Sequence, residues 1–389
     1  MGVAQDGKVA AKQRSGSKDH FWIPRFWDGM GVRGWFGLLA RNRFDISPLR
    51  IAMAVIIGVL SFVNCFLWLI QTILLGRKID RTEIREDPIF VIGHWRSGTT
   101  LLHELLVCDR RHTYPDTYAC FAPNHFLLSG WFIKPFLQVL LPSRRPMDNM
   151  AAGWDRPQED EFALCNIGIP SPYLTNTFPN HPPQNQEYLD FRGVPPAAMN
   201  RWKQAFLWFL KCLTLRNPKR IVVKSPPHTC RIRTLLEMFP KAKFVHIVRD
   251  PYVIFPSTIN LWKRLYRDQG LQMPTYEGLE EHVYSTFTRM YEAFDRDRGL
   301  IGPGQYCEIR YEDLIAKPVD QMQLVYERLE LGDFETVRPA IEEYFAGQKD
   351  YKTNRYQVSP ELRAEITHRW GKFLTEYGYA VDEPSAVVD

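Results

Sequence analysis

One stretch of this chain restricts its fold more than any other. Pro88-Ile-Phe-Val-Ile92 runs into Gly93-His-Trp-Arg-Ser-Gly-Thr-Thr100, and an apolar run Leu-Leu-His-Glu-Leu-Leu follows at once. A short buried strand, a turn bounded by glycines and a helix start make an anion site. Backbone N–H groups point outward there, and the helix dipole favours negative charge. The spacing from Gly93 to Gly98 is that of a P-loop. A nucleoside-triphosphate loop carries Lys at the next position, but here it is Thr99. The grip on β- and γ-phosphates is missing, and a cation sits inside the loop instead, at Arg96.

The remainder reads as alternating strands and helices. Apolar runs at Arg220–Val223, Lys243–Val248 and Tyr306–Ile309 predict further buried strands, and Leu101–Val107, Ile232–Met238 and Val319–Leu329 predict helices. Alternation of this kind implies an α/β, P-loop-type three-layer fold with a central parallel sheet. It extends as one domain over about residues 88–380. The Pro- and Asn-rich stretch Gly168–Pro196 predicts a long surface insertion that could serve as a substrate-side lid. Hydrophobic residues at 45% and charged residues at 24% exclude a disordered or fibrous chain. A net charge of +5 is too small for a nucleic-acid binder and fits an anionic ligand held locally. Seven scattered cysteines without a CxxC pair indicate neither a disulfide scaffold nor a zinc site.

A second motif lies at Phe244–Ser257, FVHIVRDPYVIFPS. A strand ends at Arg249, and Asp250 with Pro251 reads as a helix cap and first turn. Pro256 is expected to kink that helix. The loop containing Arg96, Ser97, Gly98, Thr99 and Thr100 resembles the 5′-phosphosulfate loop of sulfotransferases, which use adenosine 3′-phosphate 5′-phosphosulfate (PAPS). In that family an Arg at a strand end and a Ser eight residues later hold the donor's 3′-phosphate, and Arg249 and Ser257 match that spacing. The run VVKSPPHTCRIRTLLEMFPKAKFVHIVRDP, from Val222, resembles sulfotransferase family 3, which includes bacterial and tyrosylprotein sulfotransferase relatives. Tyr311-Glu-Asp-Leu314 followed by Pro318 resembles another segment of the family. Arg96, where cytosolic small-molecule sulfotransferases carry Lys, places the chain nearer the tyrosylprotein and bacterial branch.

The resemblance implies sulfuryl transfer from PAPS to an acceptor hydroxyl or amine. Such a reaction needs in-line positioning and stabilisation of charge on the leaving phosphate, with no metal required. Arg96 and Lys224 are the candidates for that charge. The general base is Glu161, Glu159 or His228. The two Glu residues follow Pro157 in an acidic segment of a kind the family commonly carries, and tyrosylprotein sulfotransferase relatives use a Glu base; His228 lies at a strand-to-loop edge. Competing readings are a P-loop kinase using ATP, disfavoured by Thr99, and a non-catalytic membrane protein with a degenerate phosphate site.

Residues Ile51–Leu75 carry no charge, and as a helix would rise about 37 Å, enough to cross a bilayer. This predicts a single-pass transmembrane helix at 51–75. Residues 1–50 then form a polar, basic, disordered tail (1–20) and an aromatic interfacial arm (21–44). The alternatives are a buried core helix and an arm packed on the domain. Flanking charges do not set an orientation. The absence of an N-x-S/T sequon leans toward a cytosolic catalytic part over a Golgi-lumenal one. A membrane anchor would make the bilayer a partner and favour a lipid, glycan or membrane-protein acceptor.

Overall fold

Five runs of mostly β-branched and aromatic residues form one parallel sheet in the computed structural model, which describes residues 24–137, 153–347, 356 and 358–379. They are β1 (Ile89–Ile92), β2 (His112–Thr113), β3 (Arg220–Lys224), β4 (Lys243–Val248) and β5 (Tyr306–Arg310), in the order β2-β3-β1-β4-β5. Four were legible as apolar runs. The two-residue β2 was not, because two residues carry no periodicity.

The register aligns Phe90 with Val223 and with Phe244 on either side. Phe90, Ile92, Val223 and Phe244 enter the core on one face. Ile89, Val91, Val222, Val245 and Ile247 enter the core on the other. Both faces are covered, as an all-parallel sheet requires. This is an α/β fold with a central parallel sheet.

The helices used below are α1 (Val32–Arg41), α2 (Ile51–Arg81), α3 (Thr99–Leu106), α4 (Asp160–Ile167), α5 (Pro196–Arg216) and α6 (Pro251–Gln269). β1 lies between β3 and β4. The chain leaves β1 for the β2–β3 side, then crosses to β4 beyond it. The carboxyl end of β1 is therefore the point at which the winding reverses, and open α/β sheets bind their ligands there.

The N-terminal region corrects two expectations. α2 is long and apolar enough to cross a membrane. It is nevertheless docked on the domain. Ala54, Ile57, Gly58, Ser61, Asn64, Gln71 and Ile79 are buried along one face. Asn64 donates to the carbonyls of Asp28 and Met30, at 2.6 and 3.0 Å, and its Oδ1 lies 3.1 Å from His125 Nε2. Gln71 donates to the Asn124 carbonyl at 2.9 Å and accepts from the Leu128 N–H at 3.1 Å. A helix crossing a bilayer would carry these groups, and the body they bond to, into hydrocarbon where no water can satisfy them. The single-pass anchor is therefore overturned: α2 is an element of the fold. Its other face exposes Val55, Val59, Phe62, Phe66 and Ile73.

The described part of the aromatic arm, from residue 24, is also packed inward. Phe26, Trp27, Met30 and Trp35 are buried. The Phe26 N–H donates to Gln269 Oε1 at 2.9 Å, and Trp27 Nε1 donates to the Gln269 carbonyl at 3.1 Å. The predicted tail over residues 1–20 and the first three residues of the arm, 21–23, lie outside the described residues. The stretch Gly168–Pro196 is no surface lid either. Ser171–Phe178 and Tyr188–Phe191 are buried, so it forms a wall of the domain beside α4.

Candidate active site

The loop after β1 closes on itself before entering α3. Ser97 Oγ donates to the His94 carbonyl at 2.7 Å, and the Ser97 N–H reaches the same oxygen. Glycine is required at both ends. Gly93 has φ +144°, and a Cβ there would lie 2.6 Å from the Ile247 carbonyl oxygen. Gly98 has φ +104°, and a Cβ there would lie 2.4 Å from the Tyr311 ring. Arg96 takes φ +70°, a strained position for a residue with a side chain. The N–H groups of the first α3 turn, from Thr99 onward, have no preceding helical carbonyl to bond. His94 beside them is held down to about 4, because burial disfavours its charge more than the Trp95 carbonyl favours it. It adds no charge to the loop at neutral pH.

The β4 motif meets this loop. Arg96 Nε donates to Ser257 Oγ at 2.8 Å. Arg249 donates to the Arg96 carbonyl at 3.1 Å and lies 4.0 Å over the Tyr311 ring. Asp250 caps α6 through the Tyr252 N–H at 2.8 Å, as its sequence predicts. α6 runs through Pro256 to Gln269 as one helix. Tyr311, directly after β5, supports both the loop glycine and Arg249. Arg96, Ser97, Gly98, Thr99, Thr100, Arg249 and Ser257 are thus gathered at one edge of the sheet.

The base candidates separate. Three successive acids at the start of α4 meet three bases that leave β3. Glu159 pairs with Lys224 at 2.6 Å, Asp160 with His228 at 2.8 Å, and Glu161 with Arg231 at 2.6 Å. Only the first pair reaches the loop, where Lys224 Nζ lies 3.4 Å from Thr100 Oγ1. The Glu159 side chain keeps 16% of its surface exposed.

Glu161 is sealed by Arg231 and by Ser171 Oγ, which donates to it at 2.6 Å. His228 is equally sealed. Its Nε2 donates to Asp160, its Nδ1 is buried without a hydrogen-bond partner, and Phe90 and Phe206 pack on its ring. Burial works against the Asp160 charge, but His228, Ser225 and Arg231 outweigh it and hold its pKa below the ordinary value. The structure therefore leaves Glu161 and His228 underneath the site and Glu159 at its edge.

Asp160, Arg231, Tyr173 and Trp95 were not singled out in the sequence. The matched spacing of three consecutive acids against bases at 224, 228 and 231 is the signal that could have found the first two. Breaking the Glu161–Arg231 pair is expected to destabilise strongly, because it strands a buried guanidinium whose other hydrogen-bond partner among the described residues is the Tyr188 carbonyl. Glu161→Gln should cost about 3 kcal/mol of unfolding free energy in urea titrations. A cost under about 1 kcal/mol would show that this pair does not hold α4 against β3.

The sulfotransferase family model matches residues 88–335. The chain belongs to the sulfotransferase family. Omega-hydroxy-beta-dihydromenaquinone-9 sulfotransferase Stf3 of Mycobacterium tuberculosis (strain CDC 1551 / Oshkosh) is 49% identical over 358 residues, covering 92% of this chain and 92% of that protein. The Stf3 of Mycobacterium bovis matches equally. That match spans 358 of 389 residues, so fewer lie outside it than the fifty that precede α2, and the helix falls within the shared length.

Two crystal structures share the fold. Sulfotransferase STF9 from Mycobacterium avium has a TM-score of 0.63 at 18% identity, covering 87% of this chain and 88% of that one. Sulfotransferase STF1 from M. tuberculosis H37Rv has a TM-score of 0.57 at 18% identity, covering 90% and 94%. This sulfotransferase moves a sulfuryl group from PAPS to a hydroxyl acceptor, which removes the kinase and scaffold readings. Among the described residues no His, Cys, Asp or Glu side chains cluster as a metal site.

Proposed function

We propose that this sulfotransferase acts on a lipid hydroxyl of the prenylquinone class, with the P-loop-like turn after β1 as donor cradle and Glu159 as general base. The 49% identity to an enzyme named for a hydroxylated dihydromenaquinone supports the acceptor class. The observation that carries the base assignment is the position of Glu159, partly exposed beside Lys224 and Thr100 while its two acidic neighbours are sealed.

In this reading the acceptor oxygen attacks the sulfur of PAPS. The bond from sulfur to the 5′-phosphate oxygen breaks in line, and adenosine 3′,5′-bisphosphate leaves. The acceptor's proton passes to Glu159. The charge that grows on the leaving phosphate meets Arg96 and the N–H groups of Gly98, Thr99 and Thr100, donors fixed before reaction. Lys224 holds one oxygen of Glu159 and stands beside Thr100, so it sets the base against the donor loop. Arg249 and Ser257 hold the 3′-phosphate.

The test is to incubate the purified protein with sulfur-labelled PAPS and an ω-hydroxylated menaquinone, a tyrosine peptide or a glycan. Label should appear in the quinone. Transfer to peptide or glycan alone would overturn the acceptor class.

Arg249→Ala is expected to weaken adenosine 3′,5′-bisphosphate by about 1.5–3 kcal/mol, with little change for adenosine 5′-phosphate. Only the first ligand carries the 3′-phosphate. Equal losses for both in calorimetry would remove Arg249 from that role.

A further inference from the structure

The carboxylate of Glu159 is held from two sides, and the second side belongs to a residue outside the proposed donor motifs. The Tyr173 hydroxyl donates to Glu159 Oε2. Trp95 Nε1 donates to the same hydroxyl at 3.0 Å. Indole N–H can only donate, so the Tyr173 oxygen must accept from it, and its own proton is left for Glu159. On the other side Lys224 Nζ donates to Glu159 Oε1 at 2.6 Å and reaches Thr100 Oγ1 at 3.4 Å.

Trp95 and Thr100 belong to the same donor loop. The hydrogen bonds therefore form a closed ring, from Trp95 through Tyr173, Glu159 and Lys224 back to Thr100. Both oxygens of Glu159 are tied to the two ends of the turn that cradles the donor.

We propose that Tyr173 is a positioning residue for sulfuryl transfer: its hydroxyl fixes the direction of the Glu159 carboxylate and, through Trp95, its height above the donor loop. This rests on the reading of Glu159 as the base. A base acts only within hydrogen-bond reach of the proton it removes, and misplacement by about 1 Å can cost 10²-fold. A carboxylate held by Lys224 alone could still swing about its last torsion, a broad two-fold rotor. The Tyr173 bond removes that freedom.

Tyr173 is suited to the task because it is rigidly packed. It is buried, with the Phe162 ring at 5.1 Å and the Trp95 ring at 6.0 Å. The Ser171 hydroxyl caps its short helical turn at 3.2 Å. Burial and the neighbouring Glu159 charge push its phenol well above the ordinary value, so Tyr173 stays a neutral donor and is not itself the base.

The test is a double-mutant cycle in steady-state assays with labelled PAPS. Tyr173→Phe keeps the ring and removes only the hydroxyl. It should lower kcat by about tenfold and leave KM for PAPS within twofold, since the donor-binding groups are untouched. In a Glu159→Gln background the same change should cost less than twofold, because there is no base left to orient. Trp95→Phe, which removes the indole N–H, should lower kcat in the same direction and more weakly. A purely structural role would cost the same in both backgrounds, and that result overturns the proposal. So would a Tyr173→Phe enzyme within twofold of the parent kcat. If Glu159→Gln alone retains turnover, the base assignment fails instead, and the cycle tells the two failures apart.

Discussion

Glu159→Gln should lower kcat by about 10²–10⁴, the range for removing a positioned general base. Gln has the same shape, so its carbonyl can still accept from Lys224 Nζ, which now lies 2.6 Å from Glu159 Oε1. The neighbouring Asp160–His228 and Glu161–Arg231 pairs, both buried, keep α4 seated on the segment that follows β3. The loss should therefore fall on the chemical step alone. Affinity for adenosine 3′,5′-bisphosphate should stay within a few-fold by calorimetry, because Arg96, Arg249 and Ser257 are untouched. Turnover within tenfold of the parent would sink the assignment. His228→Asn and Glu161→Gln serve as controls, since any activity they lose should track lost folded protein.

Much of the proposed donor cradle was legible as a unit in the sequence because each of its parts is local. A strand, a glycine-bounded turn and a helix start are contiguous in the chain, and Arg249 to Ser257 spans barely two helical turns. The surroundings of the base candidates were less legible because they are built from distant segments. Glu159, Glu161 and His228 look alike as candidates in the sequence, and only burial separates them. Their partners are distant in the chain: Lys224 lies 65 residues from Glu159, Arg231 lies 70 from Glu161, and Asp160 lies 68 from His228. Tyr173 sits in a Pro- and Asn-rich stretch whose composition reads as a surface loop. Its prolines and short 3₁₀ turns instead pack Ser171–Phe178 into the domain. Hydropathy misled at α2 for a related reason. A window average registers many apolar residues and only a few polar ones, yet Asn64 and Gln71 are the contacts that dock the helix.

Deleting residues 1–86 should leave a fragment that fails to fold or aggregates. Phe26, Trp27, Met30, Trp35, Leu38, Leu39, Ile57 and Ile79 are all buried. Each stabilises by about 1.5–3 kcal/mol on full burial. Some of that burial is mutual between α1 and α2, but even half the sum rivals a total stability of about 5–15 kcal/mol. The cut would also strip partners from groups left behind. Asn166 Nδ2 donates to the Phe26 carbonyl at 2.9 Å, and His125 Nε2 reaches Asn64 at 3.1 Å. Solubility and thermal unfolding of residues 87–389 beside the full chain decide the matter, and a cooperative transition within a few degrees of the full chain would make this region an appendage. Asn64→Leu separates the two cases without a truncation. In a membrane span, replacing a buried amide by Leu would improve insertion. In a docked helix it removes two donors from the Asp28 and Met30 carbonyls and one partner of His125, so the unfolding midpoint should fall.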